Sequence, residues 1–99
     1  MSDITITKAE SKSGGEFTAR IAGETATGEL TFSRVNEKLI IADHTGVPEE
    51  LAGKGVAKAL VNHLIEDARE NNYRIIPLCP FVRAQSERHP EWDDVIIKQ

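Results

Sequence analysis

The chain has 99 residues, a formal net charge of −4 and one cysteine, Cys79. This length supports one modest core, so we expect a single domain over residues 1–99. The negative charge argues against a nucleic-acid partner, and a single cysteine excludes an internal disulfide and a cysteine-based zinc cluster. No metal site is expected. Neither a membrane-spanning run nor a signal-peptide pattern is evident, so we expect a cytoplasmic protein that does not bind membranes.

The first half of the chain alternates apolar and polar residues with the period of half-buried strands. Residues 1–15 form a starting strand and a loose turn, and the alternation continues through 17–21 and 26–33. Residues 39–42 form a short apolar strand. Because short turns separate these runs, we predict an antiparallel meander.

The period changes in the second half of the chain. Apolar residues there recur at helical spacing: Ala57, Leu60, Val61, Leu64, Ile65 and Ala68. We predict a helix over 55–71 between strands 39–47 and 73–79, and the two strands of such a βαβ unit are parallel. A shorter helix is predicted near 81–88 and an edge strand at 95–97. The expected class is α+β, with a mixed, mostly antiparallel sheet, one long helix and one short C-terminal helix.

A Gly-Lys-Gly turn at residues 53–55 opens the long helix. The first helical amides lack intrahelical partners and lie at the positive end of the helix dipole, so they form a place for phosphate oxygens. A Walker A loop is excluded because Gly55, rather than Ser or Thr, follows Lys54. A dinucleotide-binding fingerprint fits poorly because Lys58 occupies the position of its third glycine. A purely structural turn, with glycine at positive φ, is the remaining alternative.

Residues 52–57, Ala-Gly-Lys-Gly-Val-Ala, resemble the pyrophosphate-binding loop of the GNAT superfamily of acyl-CoA N-acyltransferases. The pattern of that loop is Arg or Gln, x, x, Gly, x, Gly or Ala. Gly55 and Ala57 occupy its two small-residue positions, whereas Ala52 departs from it at the first. The resemblance to small, single-domain GNAT-like proteins covers residues 16–95 and includes three further segments: His44–Val47, Ile75–Val82 and His89–Trp92.

The resemblance implies a GNAT fold, acetyl-CoA as cofactor and transfer of its acetyl group to an amine. Backbone groups of Thr45, Gly46 and Val47 would pair with the pantetheine, which would lie where strands 39–47 and 73–79 splay at their C-terminal ends. The implied cofactor-binding residues of the turn and helix start are Gly53, Lys54, Gly55, Val56, Ala57 and Lys58. The acceptor stays open among a small-molecule amine, a protein lysine and a protein N-terminus, and the expected state is a monomer or weak homodimer.

Two residues are candidates for catalysis. His44 follows the strand toward the splay, and an imidazole suits a general base near neutral pH, although a ring hydrogen-bonded to the sheet edge is equally compatible. Cys79 ends the second parallel strand, where it would accept the acetyl group, protonate the CoA thiolate or pack as a small apolar side chain. Many GNAT enzymes place a tyrosine on the following helix, and this chain lacks one there. The chain also has no helices between its first strands, a region that usually shapes the acceptor pocket of GNAT enzymes, so a non-catalytic CoA-binding module is the alternative function.

Overall fold

The computed structural model describes residues 3–98, and within them the chain forms one five-stranded sheet and two α-helices. The strands are β1 (Ile4–Glu10), β2 (Gly14–Ile21), β3 (Thr27–Asn36), β4 (Leu39–Gly46) and β5 (Arg74–Ile76). The helices are α1 (Val56–Asn71) and α2 (Pro80–Arg88), and short 3₁₀ turns lie at Glu49–Leu51 and Pro90–Asp94. Neither helix combines the length and apolar character needed to cross a membrane.

The strands lie side by side in chain order, β1-β2-β3-β4-β5. The first four pair antiparallel, and β5 pairs parallel with β4, as the βαβ pattern predicts. The meander, the parallel pair and the α+β class are thus confirmed. The edge strand predicted at 95–97 is reduced to an isolated parallel bridge between Ile75 and Ile96, flanked by backbone hydrogen bonds from Ile75 to Val95 and from Ile97 to Ile75.

Helix α1 covers one face of the meander with the apolar stripe that the sequence predicts. The side chains that meet across this interface are fully buried: Phe17 and Leu30 from the sheet, and Leu60, Val61 and Leu64 from the helix. Ala57, which the stripe also includes, is only half-buried, and Val56 takes its place in the core. The helix begins at Val56, one residue later than expected, and Val56 lies one helical turn before Leu60 on the buried face. At the other end Asn72 closes the helix in the left-handed region, with φ of 57°.

Strand β5 ends at Ile76, earlier than the predicted residue 79. Pro77 has no N–H for the ladder, and the Leu78 amide turns back to the Ile76 carbonyl at 3.0 Å. The chain rejoins β4 at Cys79, whose amide donates to the Ala42 carbonyl at 2.8 Å. Beyond that bond β4 continues beside β3 without β5, so a gap opens along the last residues of β4.

Candidate active site

A cleft of about 470 Å³ lies between the end of β4, the start of α1 and the start of α2. Val47, Leu51 and Phe81 contribute apolar side chains to it. The loop before α1 and the first helical turn form another wall. The cleft therefore combines an apolar lining with exposed backbone, which is the usual character of a site for an organic ligand.

The first turn of α1 presents free backbone donors. Within residues 3–98, the amides of Gly55, Val56, Ala57 and Lys58 have no hydrogen-bond acceptor in the protein, and no side chain caps the helix. The amide of Ala59 is the first to be engaged, by the Gly55 carbonyl at 3.0 Å. Free N–H groups at the positive end of a helix dipole favour anionic ligands, phosphates above all.

The two glycines of the turn border open space. Gly53 and Gly55 both have φ of 77°, and a β-carbon built on either would meet no other atom within 4 Å. The Lys54 amide between them donates to the Leu51 carbonyl at 3.3 Å, and its ammonium group lies 3.9 Å from the Glu24 carboxylate. Among the predicted phosphate donors of the described chain, the Lys54 amide is therefore already engaged by the protein.

A β-bulge determines which sheet face the side chains at the end of β4 occupy. Phe32 pairs with Ala42, but the preceding residue, Thr31, pairs with His44, so Asp43 is an extra residue in the strand. Because side chains alternate along a strand, the extra residue moves each later side chain of β4 to the opposite face of the sheet. The bulge leaves both Asp43 and His44 on the sheet face opposite α1.

The residue after His44 consequently faces α1. Thr45 pairs with Leu30, a buried residue of the α1 face, and its hydroxyl lies 3.4 Å from the Cys79 sulfur. Cys79 is buried, with 3% of its surface exposed, and it directly precedes α2. The structure thus brings Thr45 and Cys79 together and leaves His44 on the other face of β4.

Comparison with known proteins decides the family. The sequence model described as GCN5-related N-acetyl-transferase matches residues 16–95, which is most of the chain. The chain belongs to the GNAT family. The resemblance predicted from the glycine turn is confirmed.

Two solved structures and one curated protein are similar to this chain. A solution NMR structure of a GCN5-like protein from Staphylococcus aureus has a TM-score of 0.73 and 35% identity, covering 100% of this chain and 93% of that one. A GNAT family acetyltransferase from Elizabethkingia anophelis, crystallised with acetyl-CoA bound, shares the fold with a TM-score of 0.62 and 17% identity, over 76% of this chain and 64% of that one. Protein NATD1 from Bos taurus is 25% identical over 75 residues, 76% of this chain and 66% of that protein. The chain therefore spans about two thirds of the length of this curated relative.

In this GNAT chain His44 is exposed, and its ring has no hydrogen-bond partner among the described residues. Its backbone carbonyl accepts a hydrogen bond from the Thr31 hydroxyl at 3.4 Å. The ring hydrogen-bonded to the sheet edge, which the sequence leaves open, is therefore not observed within residues 3–98.

Sequence reasoning missed two side chains of the GNAT cleft, Leu51 and Phe81. Leu51 belongs to a 3₁₀ turn and is fully buried, while Phe81 lies in the first turn of α2. A large apolar residue two positions before the Gly-Lys-Gly turn was a usable signal for the first. The second depends on where α2 begins, which Pro80 at the first helical position marks.

Proposed function

We propose that residues 1–99 form one domain that transfers the acetyl group of acetyl-CoA to a primary amine, on a small molecule, a protein lysine or a protein N-terminus. The observation that supports this most directly is the set of free amides at Gly55–Lys58 beside the cleft. The open space around Gly53 and Gly55 leaves these amides accessible to a ligand. Membership of a family of acetyltransferases supports the same conclusion.

The residues present fit the CoA group. The amides of residues 55–58 would hold the diphosphate, and because each such contact contributes about 0.3–1 kcal/mol, they act as a set. Gly53 leaves the approach open, and Lys54 and Lys58 add positive charge. The backbone of residues 45–47, which β5 does not accompany, would pair with the pantetheine amides.

Bound acetyl-CoA supplies a thioester that is activated toward an amine. We assign His44 Nε2 the role of accepting the proton that the acceptor must lose, a contribution of about 10²–10⁴-fold in rate for a well-placed base. We assign Cys79 Sγ, beside the Thr45 hydroxyl, the role of holding a proton for the leaving sulfur. The two residues lie on opposite faces of β4, so proton removal and proton supply occur at separate places.

A charge-reversal pair at Gly55 tests the diphosphate site. Gly55→Glu and Gly55→Lys impose the same backbone strain at φ of 77° but place opposite charges beside the free amides. By calorimetric titration with CoA, we expect Gly55→Glu to bind at least about ten-fold more weakly than Gly55→Lys, a difference of about 1.4 kcal/mol. Equal affinities in the two variants would contradict a phosphate site at this turn.

Release of free CoA thiol over a panel of amines tests turnover. We expect wild-type protein to release thiol from acetyl-CoA only when an amine is present, with formation of the N-acetyl product confirmed by mass spectrometry. His44→Gln should lower the rate by about 10²-fold or more, as expected for loss of a general base. Tight CoA binding without product over the whole panel would instead support the non-catalytic CoA-binding module.

A further inference from the structure

Strand β1 forms an edge of the sheet, with β2 on one side only. Its pairing with β2 is unbroken from Ile4, which lies opposite Ile21, to Glu10, which lies opposite Gly15. Within residues 3–98, no other segment pairs with the outer side of β1. A row of unpaired N–H and C=O groups along such an edge is a template for pairing with another strand.

Two backbone hydrogen bonds establish which groups of β1 point outward. The Ala22 amide donates to the Asp3 carbonyl at 3.3 Å. The Ser11 amide donates to the Gly14 carbonyl at 2.7 Å. Asp3 and Ser11 therefore face β2, and because the two directions alternate along an antiparallel strand, the odd-numbered residues between them face β2 as well. The outward N–H and C=O groups belong to the even-numbered residues: Ile4, Ile6, Lys8 and Glu10.

Strand β1 lacks most of the features that protect sheet edges from pairing. Over Ile4–Glu10 it has no proline and no bulge, and the exposed side chains on the face opposite α1 are small: Thr5, Thr7 and Ala9. The charge of Lys8 is already neutralised, because its Nζ lies 2.8 Å from the Asp67 carboxylate and 3.3 Å from that of Glu10. Glu10 also pairs with Arg34 of β3 at 2.8 Å. A neighbouring strand would therefore bury no unpaired charge.

The outward groups of β1 are complementary to a second copy of β1. In an antiparallel pair centred on Thr7, Ile4 lies opposite Glu10 of the second copy, and Ile6 lies opposite its Lys8. Each of these pairs exchanges two backbone hydrogen bonds, and the twofold symmetry repeats both pairs. Only this register gives every outward residue of β1 a partner within the other β1. It also places Thr7 opposite its own copy at a non-hydrogen-bonded position, where two threonine hydroxyls can meet.

We propose that the chain forms a weak symmetric homodimer in which β1 pairs antiparallel with β1 of a second copy, centred on Thr7. The two sheets then become one continuous sheet, with both α1 helices on the same side. A single strand pair is a small contact, so we expect a dissociation constant of about 10 µM to 1 mM. Because β2 and β3 separate β1 from β4, the clefts of both copies stay open. The inference is independent of the proposed function.

Sedimentation equilibrium of the full chain tests the dimer. We expect the average mass to rise from that of a monomer toward that of a dimer as the protein concentration increases to about 1 mM. The mass should not rise beyond the dimer, because a twofold contact uses the edge of both copies completely. A chain that stays monomeric at about 1 mM would overturn the inference.

Two variants at Ile6 test the outward amide. Ile6→Pro removes an N–H that faces away from β2, a position at which an edge strand accepts proline. Ile6→Ala shortens the same side chain but keeps the N–H. We expect Ile6→Pro to dimerise at least about ten-fold more weakly than Ile6→Ala, because the symmetric pair loses two hydrogen bonds. Equal dissociation constants in the two folded variants would overturn the inference.

Disulfide trapping tests the register and does not depend on whether Ile6→Pro folds. The variants are made in Cys79→Ala, which removes the single native thiol. Thr7→Cys would bring two Cα atoms to about 4.5 Å across the twofold axis, within the range of a disulfide. Thr5→Cys lies on the same strand and face, but its two copies would be at least about 13 Å apart.

With oxidised glutathione as the oxidant, we expect Thr7→Cys to form a covalent dimer and Thr5→Cys to stay monomeric. Failure of Thr7→Cys to cross-link would overturn the inference. Equal cross-linking of the two variants would do the same, since it would indicate random collision of exposed thiols.

Discussion

Gly28 in β3 and Val56, the first residue of α1, lie in such close contact that a β-carbon at position 28 would come within 2.6 Å of Val56 Cγ1. The same β-carbon would lie 3.5 Å from Leu60 Cδ1 and from Val47 Cγ2. The first turn of α1 therefore packs directly against the backbone of β3 at Gly28. This contact sets the position of the free amides relative to the cleft.

We predict that Gly28→Ala displaces the start of α1. Overpacking of this kind costs about 1–3 kcal/mol in the free energy of unfolding, and the displaced amides should bind CoA more weakly. Urea unfolding followed by the fluorescence of Trp92, the single tryptophan, measures the first effect, and calorimetry with CoA measures the second. Gly15→Ala is the control: its β-carbon would clash with the Ala9 carbonyl at 2.3 Å, away from the start of α1. Equal loss of CoA affinity in both variants would show that stability, rather than helix position, controls binding.

The contact between Thr45 and Cys79 gives a second prediction. If Cys79 holds a proton for the leaving sulfur, Cys79→Ala should lower kcat by about 10²-fold or more with little change in CoA affinity. Thr45→Val keeps the shape of the side chain but removes the hydroxyl 3.4 Å from the sulfur, and it should lower kcat to a smaller extent. Full turnover in Cys79→Ala would leave Cys79 as a buried packing residue.

The parts of the fold that the sequence predicts best are those with strong local signals. The helical spacing of apolar residues and the glycine before them located α1 to within one residue at its start. The alternation of apolar and polar residues is also a strong local signal, and it located the antiparallel strands. The predicted end of β5 was wrong. We expected Pro77 to fit near the end of the strand, but the strand stops before it, and the Leu78 amide turns back to the Ile76 carbonyl.

The geometry of the candidate site depends on register, which a single sequence does not reveal. One extra residue, Asp43, sends His44 and Thr45 to opposite faces, and alternation carries no mark of such a bulge. The proximity of Glu29 to Gly46 likewise follows from how β3 pairs with β4. Sequence alone could therefore nominate His44 and Cys79, but not show that β4 separates them.

A polar cluster at the far end of α1 supports a third prediction. Asp67 accepts hydrogen bonds from Lys8 Nζ and from the Tyr73 hydroxyl, both at 2.8 Å, and so ties β1 and the start of β5 to the helix. Asp67→Ala would leave both donors without this acceptor in a half-buried place. We expect a loss of about 2–3 kcal/mol in the free energy of unfolding.

The exposed pair between Asp93 and Lys98, at 3.4 Å, provides the control for the Asp67 prediction. Because both of its side chains are at least half exposed, Asp93→Ala should change the free energy of unfolding by less than about 0.5 kcal/mol. Urea denaturation of the two variants under identical conditions compares them. Equal, small effects would mean that Asp67 is as weakly coupled to folding as a surface residue.

The last prediction concerns alkaline pH. Burial of Tyr73, together with its hydrogen bond to the Asp67 carboxylate, raises the pKa of the phenol well above its ordinary value of 10.0. The folded protein therefore keeps the phenolic proton at a pH where the unfolded chain releases it. Its contribution to stability is fully present below about pH 10 and is lost as the pH rises above that value.

Tyr73→Phe isolates this effect. Above about pH 10 we expect the free energy of unfolding of wild-type protein to fall by up to about 1.4 kcal/mol per pH unit more steeply than that of Tyr73→Phe. Tyr73 is the single tyrosine, so tyrosinate absorbance reports it alone. That absorbance should rise only together with the fluorescence change of unfolding. Because a buried phenolate cannot form without disrupting its contacts, a tyrosinate signal near pH 10 in folded protein would contradict the packing of Tyr73 against Asp67.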